Sequence, residues 1–148
     1  MDELFPVFDV PEETNNDAQP LGYLPGPLFD TEIGDFVYNG ANQAVYGTGY
    51  DTWVLWCTKT IITQRWAHLG YTNGAGVEAN EAFRQPDRAA QESAFIRTIT
   101  EALLSDPAGR TQQVMDFEFN WNDNSLRAAC TVIGKDGSSA AISANIII

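Results

Sequence analysis

Positive charge is missing from the first part of this chain. No Lys or Arg precedes Lys59, while residues 1–58 carry ten Asp and Glu. Residues 59–148 hold ten acids against eight bases, so the formal charge of −12 belongs almost wholly to the N-terminal part. Nucleic-acid binding leaves a basic patch as its footprint, and this distribution argues against it. Histidine occurs once, as His68, with no Cys, second His or acid cluster at ligand spacing, so neither a metal site nor any other cofactor is expected. The two cysteines, Cys57 and Cys130, are far apart and lack a CxxC partner; they read as small buried hydrophobes. No apolar run reaches the ~18 residues that a membrane span needs. Met1-Asp2-Glu3 is acidic where a signal peptide starts basic, and no apolar core follows. Folding in a bacterial-type cytoplasm is the expectation.

What is present divides at about residue 35. A chain of 148 residues is one domain by length, and at that size it buries about 70% of its extended-chain surface without metal or disulfide. Five of the seven prolines (Pro6, Pro11, Pro20, Pro25, Pro27) lie within the first 27 residues. That spacing suits neither sheet nor helix and predicts an extended acidic arm over residues 1–34. Leu4, Phe5, Val7, Phe8, Leu21, Tyr23, Leu24, Leu28 and Phe29 recur along it as anchors, so the arm should lie along a surface, its own or a neighbour's.

Residues 35–148 read as a single α+β domain, an antiparallel β meander with two helices packed on one face. Phe36-Val37-Tyr38 and Ala44-Val45-Tyr46 flank a Gly-containing turn and predict a hairpin. Thr48 is a candidate N-cap for a helix running to about Gln64, with Trp53, Trp56, Cys57, Thr60 and Ile61 as its inner stripe. Three glycines between Leu69 and Gly76 mark an irregular loop, and no GK[ST] follows to make it a phosphate loop. A second helix is expected from Asp87 to Ser105, with Phe95, Ile99, Ala102 and Leu103 inward. Three strands complete the domain. Met115, Phe117, Phe119 and Trp121 alternate with Val114, Asp116, Glu118 and Asn120, and Leu126, Ala128, Cys130 and Val132 face the same way. A three-residue loop, Lys135-Asp136-Gly137, with Gly137 left-handed, would set Cys130 opposite Ile142 and Val132 opposite Ala140. Ile142, Ala144, Ile146 and Ile148 then join the apolar face. Ile147 is apolar on the other side, which a lone sheet edge in water should not be.

Asp116 and Glu118 alone are spaced to act as a carboxylate pair, with alpha carbons roughly 6–7 Å apart on one strand face. A cell-wall glycosidase is the enzymatic alternative they suggest. That face lies opposite Phe117 and Phe119 and should be wet, and a general acid needs burial to raise its pKa. Arg127, diagonal to Glu118 across the hairpin, makes a surface ion pair the better account. No Ser sits in a GxSxG setting. A third possibility, an acidic inhibitor acting through residues 1–35, is weakened by the arm's many apolar anchors.

The order of features resembles one family. Asp35-Phe36-Val37 with the hairpin is followed by Thr48-Gly49-Tyr50-Asp51-Thr52-Trp53, Trp56-Cys57-Thr58-Lys59, and Thr63-Gln64-Arg65 with Tyr71. Gly76-Val77-Glu78, Ile99-Thr100-Glu101-Ala102-Leu103-Leu104, Asp106-Pro107 and Val114-Met115-Asp116-Phe117-Glu118-Phe119 complete the series. Over roughly residues 35–146 this resembles the lysozyme-like baseplate wedge proteins, or sheath initiators, of contractile phage tails. The resemblance implies a non-enzymatic, multi-copy component of a sixfold virion tail baseplate. Its implied partners are larger wedge subunits and the tail sheath protein, with tail tube or hub proteins as further candidates. The family's Glu-Pro-Arg motif, which contacts the wedge helical bundle, corresponds here to Asp106, Pro107 and, after two inserted residues, Arg110. The same segment also reads as a proline helix stop followed by a solvated arginine. The resemblance further implies that sheath strands add to the last strand, through Ser143, Ala144, Asn145, Ile146, Ile147 and Ile148. Deleting Asn145–Ile148 is expected to leave a folded protein that no longer nucleates sheath.

Overall fold

The computed structural model describes residues 22–147. The anchors Leu4 to Leu21 and the terminal Ile148 lie outside the described residues. The elements run β1 (Gly26–Pro27), β2 (Phe29–Asp30), β3 (Asp35–Phe36), β4 (Tyr46–Gly47), α1 (Gly49–Ile62), α2 (Ala79–Phe83), α3 (Arg88–Leu104), β5 (Thr111–Asn122), β6 (Ser125–Gly134) and β7 (Ser139–Ile147). Mixed α+β architecture with an antiparallel β5-β6-β7 meander is as expected from the sequence.

Both long helices begin where their caps dictate. Thr48 and Asp51 form a reciprocal capping box at the start of α1. The Asp87 carboxylate accepts the Ala90 amide at 2.8 Å at the start of α3, and Ser105 caps its end. Trp53, Cys57, Thr60 and Ile61 are buried along α1, and Phe95, Ile99, Ala102 and Leu103 along α3. Trp56 packs against the same core. It is half-buried and takes the Arg110 guanidinium over its ring, 5.6 Å from the centroid. The short α2 was absent from the sequence reading. Its five residues are too few to show a period, and burial of Ala79 and Ala82 under α3 holds it in place.

The sheet's apolar face is Leu126, Ala128, Cys130 and Val132 of β6 with Ala140, Ile142, Ala144 and Ile146 of β7, all buried against the helices. Cys130 pairs with Ile142 and Val132 with Ala140, and Gly137 takes φ +84°, so the three-residue turn sets the expected register. The alternation in β5 is not strict. Asp116 adopts φ +54° and the register slips between Met115 and Glu118, a β-bulge. The bulge brings Val114 opposite Val132 and onto the core, while Met115 pairs with Thr131. Phe117, Phe119 and Trp121 pack on the core as expected.

Within the described residues, the end of the proline-rich stretch does pair. Leu28 donates to Val45 O at 2.8 Å and accepts from the Val37 amide at 3.0 Å, so residues 26–30 lie between the two limbs of the 36–46 hairpin. β1 pairs with β4 and β2 with β3. Pro27 has no N–H to give, and Leu28 supplies the donor beside it. Tyr23 packs edge-on against Trp53 at 5.6 Å and its hydroxyl donates to Arg110 O at 3.1 Å. For residues 23–30, the surface beneath is the chain's own domain.

Candidate functional site

β7 has one strand neighbour, β6, among the described residues, so its far side is a sheet edge. Which groups point there follows from the turn. Gly134 N donates to Ser138 O at 2.8 Å and Gly137 N to Gly134 O at 3.0 Å, closing the hairpin on a bonded pair. Bonded and non-bonded pairs alternate along an antiparallel ladder. Ala140, Ile142, Ala144 and Ile146 therefore bond to β6. Ser139, Ala141, Ser143, Asn145 and Ile147 turn their N–H and C=O groups outward. Tyr50 at the head of α1 donates to Ser139 O at 2.9 Å, as this parity requires. The same residues put their side chains on the exposed face, and Ile147 is 83% exposed.

A groove runs along this edge. Near the end of β7 it has a volume of about 660 Å³ and lies between Ser143–Ile147, the Thr58–Ile62 side of α1, and Thr31 and Glu32. A second depression of about 350 Å³ continues it toward Ala140 and Ala141, lined by Leu28, Phe29, Val54 and Leu55. Thr31 and Thr58 line both. The wall at residues 30–34 is a fixed turn: Asp30 Oδ1 accepts the amides of Glu32 and Ile33 at 2.8 and 3.1 Å, and Gly34 N donates to Asp30 O at 2.8 Å. Lys59 sits 3.9 Å above the Phe29 ring and ties this segment to α1. The sequence reading singled out Ser143–Ile148 but missed the opposite wall. The available signal was a second i, i+4 row on α1, Val54, Thr58 and Ile62, outside the core stripe.

The loop after α3 is built around one ion pair. Arg110 Nε and Nη2 meet Asp106 Oδ2 and Oδ1 at 2.8 and 3.1 Å, and the same carboxylate accepts the amides of Ala108 and Arg110, each at 3.0 Å. Asp106 and Arg110 are each 7% exposed. The two inserted residues thus close a turn that folds Arg110 back on Asp106, with Gly109 at φ +64°. Arg110 is not the solvated arginine of the alternative reading. Pro107, between them in sequence, is exposed.

The carboxylates weighed for catalysis are not set up as a pair. Asp116 occupies the bulge, which takes it out of simple alternation with Glu118, and both are exposed. The expected ion pair with Arg127 is replaced by a 2.8 Å bond from Arg127 Nε to Ser143 Oγ. Asn145 lies directly opposite Arg127 on β7, with Ser143 and Glu118 its diagonal neighbours on the two flanking strands, and the side chain turns to Ser143. Both thiols are buried, and burial pushes Cys57 up to about 12 and Cys130 up to about 11; such groups carry almost no thiolate near neutrality. His68 stacks edge-on with Tyr71 at 5.0 Å. Among the described residues there is no group of three metal-binding side chains, and no helix is long and apolar enough to cross a membrane.

A search of curated proteins finds no match. A sequence model of the contractile injection system sheath initiators matches residues 27–137, from β1 to the turn before β7. The match begins inside the stretch read as an arm, at the residues that pair with the hairpin. Covering well over half of the chain, it shows that this protein belongs to the contractile injection system sheath initiator family, a structural component of such systems.

Proposed function

We propose that this chain sits in the baseplate wedge of a contractile phage tail and starts the sheath by strand addition to β7. The observation that carries the reading is the open edge of β7, where Ala141, Ser143, Asn145 and Ile147 present unpaired backbone groups beside a groove. An incoming strand satisfies such groups directly. Each bond nets only about 1 kcal/mol, so a single site is weak, and a ring of sites filled together makes a stable layer. The tail sheath protein is the partner on this edge, through Ser143–Ile147 and, beyond the described residues, Ile148.

Attachment to the larger wedge subunits is assigned to the loop carrying Asp106, Pro107 and Arg110. The buried ion pair supports this as a rigid presenting turn. Asp106 and Arg110 hold the shape, and exposed Pro107 makes the contact. A sixfold tail baseplate in the virion, near tube or hub proteins, is the location consistent with both contacts.

The test is a proline on the open edge. Ser143→Pro removes an outward N–H that the fold does not use and leaves the β6–β7 ladder intact. It should fold with an unchanged circular dichroism spectrum and enter baseplates, yet fail to nucleate sheath by electron microscopy. Full-length sheath on such baseplates would sink the strand role. Truncating Asn145–Ile148 is a poorer test than the sequence suggests, because Ile146 is buried against Leu126 and its loss would open the core.

A further inference from the structure

Resting on the strand-addition reading, we infer that the groove beside β7 selects its occupant: one extended strand with apolar side chains at alternate positions. The reason lies in α1. That helix packs over β7 through its inner stripe, yet a second row, Val54, Leu55, Thr58 and Ile62, projects past the strand's edge. These residues are half-buried, apart from Ile62, which is 46% exposed. Leu28 and Phe29 prolong the same apolar surface. The helix thus covers more sheet than three strands supply. A fourth strand bonded to Ala141, Ser143, Asn145 and Ile147 would lie under that overhang. Its bonded partners follow the period of two, so every second side chain points toward Val54, Thr58 and Ile62, and the others point out with Ser143 and Asn145.

The turn at Thr31 and Glu32 faces the end of β7 across the groove. It bounds the site laterally, opposite the strand edge whose unpaired backbone groups an extended strand, and not a helix with its bonds made internally, can satisfy. Backbone bonding gives the site its affinity, and the overhang gives it sequence preference. A block of apolar residues would place half of them in water, and polar residues at the inward positions would bury unpaired groups under α1. The site therefore reads pattern more than identity, as suits a seed for many equivalent sheath subunits.

The test uses the full chain, labelled with 15N, and two nine-residue peptides of the same composition. One alternates Thr and Val between terminal lysines, and the other holds the Thr and Val in separate blocks. The alternating peptide should shift the amides of Ala141, Ser143, Asn145 and Ile147 and bind about tenfold more tightly than the block peptide, the difference expected for one buried Val side chain. Ile62→Asp, at a position already half in water, should keep the fold and weaken the alternating peptide by about tenfold. Equal binding of both peptides, with no effect of Ile62→Asp, would overturn the selectivity while leaving strand addition standing. Failure of both peptides to move the edge amides would overturn strand addition and the selectivity together. Self-association that blocks the edge amides and is abolished by Ser143→Pro would make a second copy of this chain the occupant, and would overturn the partner assignment.

Discussion

Asp106 is the residue whose role changes most between sequence and structure. In the sequence it is the acid of a helix-stop dipeptide; in the fold its carboxylate accepts four hydrogen bonds, two from Arg110's side chain and two from backbone amides. Removing one partner of a buried pair costs far more than the pair is worth, because the other charge is stranded. Asp106→Ala should lose about 3–5 kcal/mol in urea unfolding, and Asp106→Asn should lose less by keeping several of the same bonds. Asp51 offers a pH signature at the same scale. Hydrogen bonds from the Thr48 side chain and amide hold its carboxyl below the ordinary 3.8. A lowered folded-state pKa stabilises above the unfolded value, and that contribution disappears as pH falls through the folded pKa. Asp136, bonded to Ser138, behaves alike. Asp51→Asn should therefore flatten the loss of stability below about pH 4; urea midpoints at pH 7 and pH 3 would measure it.

Among the elements, α1 and α3 were legible because each repeats an apolar stripe over several turns and carries its caps in sequence. β6 and β7 were legible because strict alternation and one left-handed glycine leave a single sensible register. The bulge in β5 was not, since Asp116 at positive φ breaks a pattern that the residue types alone continue. The pairing of residues 26–30 was hidden for a different reason. Proline content argued against a ladder, but two-residue ladders need only donors such as Leu28. Their attachment to α1 depends on close approach: a Cβ on Gly49 would overlap the Tyr23 carbonyl. Gly49→Ala should push this segment off α1, costing about 1–3 kcal/mol by overpacking. Loss of near-ultraviolet circular dichroism from the Tyr23–Trp53 pair should accompany it.

For the whole molecule, the acidic surface and the open edge belong to one design. A protein that presents an unpaired strand risks pairing with itself. Glu32 and Asp51 line the groove, and with a net charge of −12 on each copy they oppose a second copy at the edge and leave it for a different chain. Because sheath seeding depends on many weak sites filled together, it should fail cooperatively. Baseplates assembled from mixtures of wild-type and Ser143→Pro chains should lose sheath nucleation faster than in proportion to the variant fraction, counted by electron microscopy. A strictly linear loss would mean that each site acts alone.

The sequence by itself determined the α+β class, both long helices, the Thr48 cap, the meander and the register of its last two strands. All of these follow from local periodicity and from turn chemistry confined to a few neighbouring residues. Its ordered motifs also pointed to the family that the match over residues 27–137 shows. Only the tertiary structure decided where Arg110 goes, that the bulge at Asp116 dissolves the carboxylate pairing, and that α1 and the Thr31–Glu32 turn wall a groove along β7. Those depend on bringing together residues distant in sequence, Tyr23 bonded to Arg110 or Thr31 across the groove from Asn145, for which a linear pattern carries no signal.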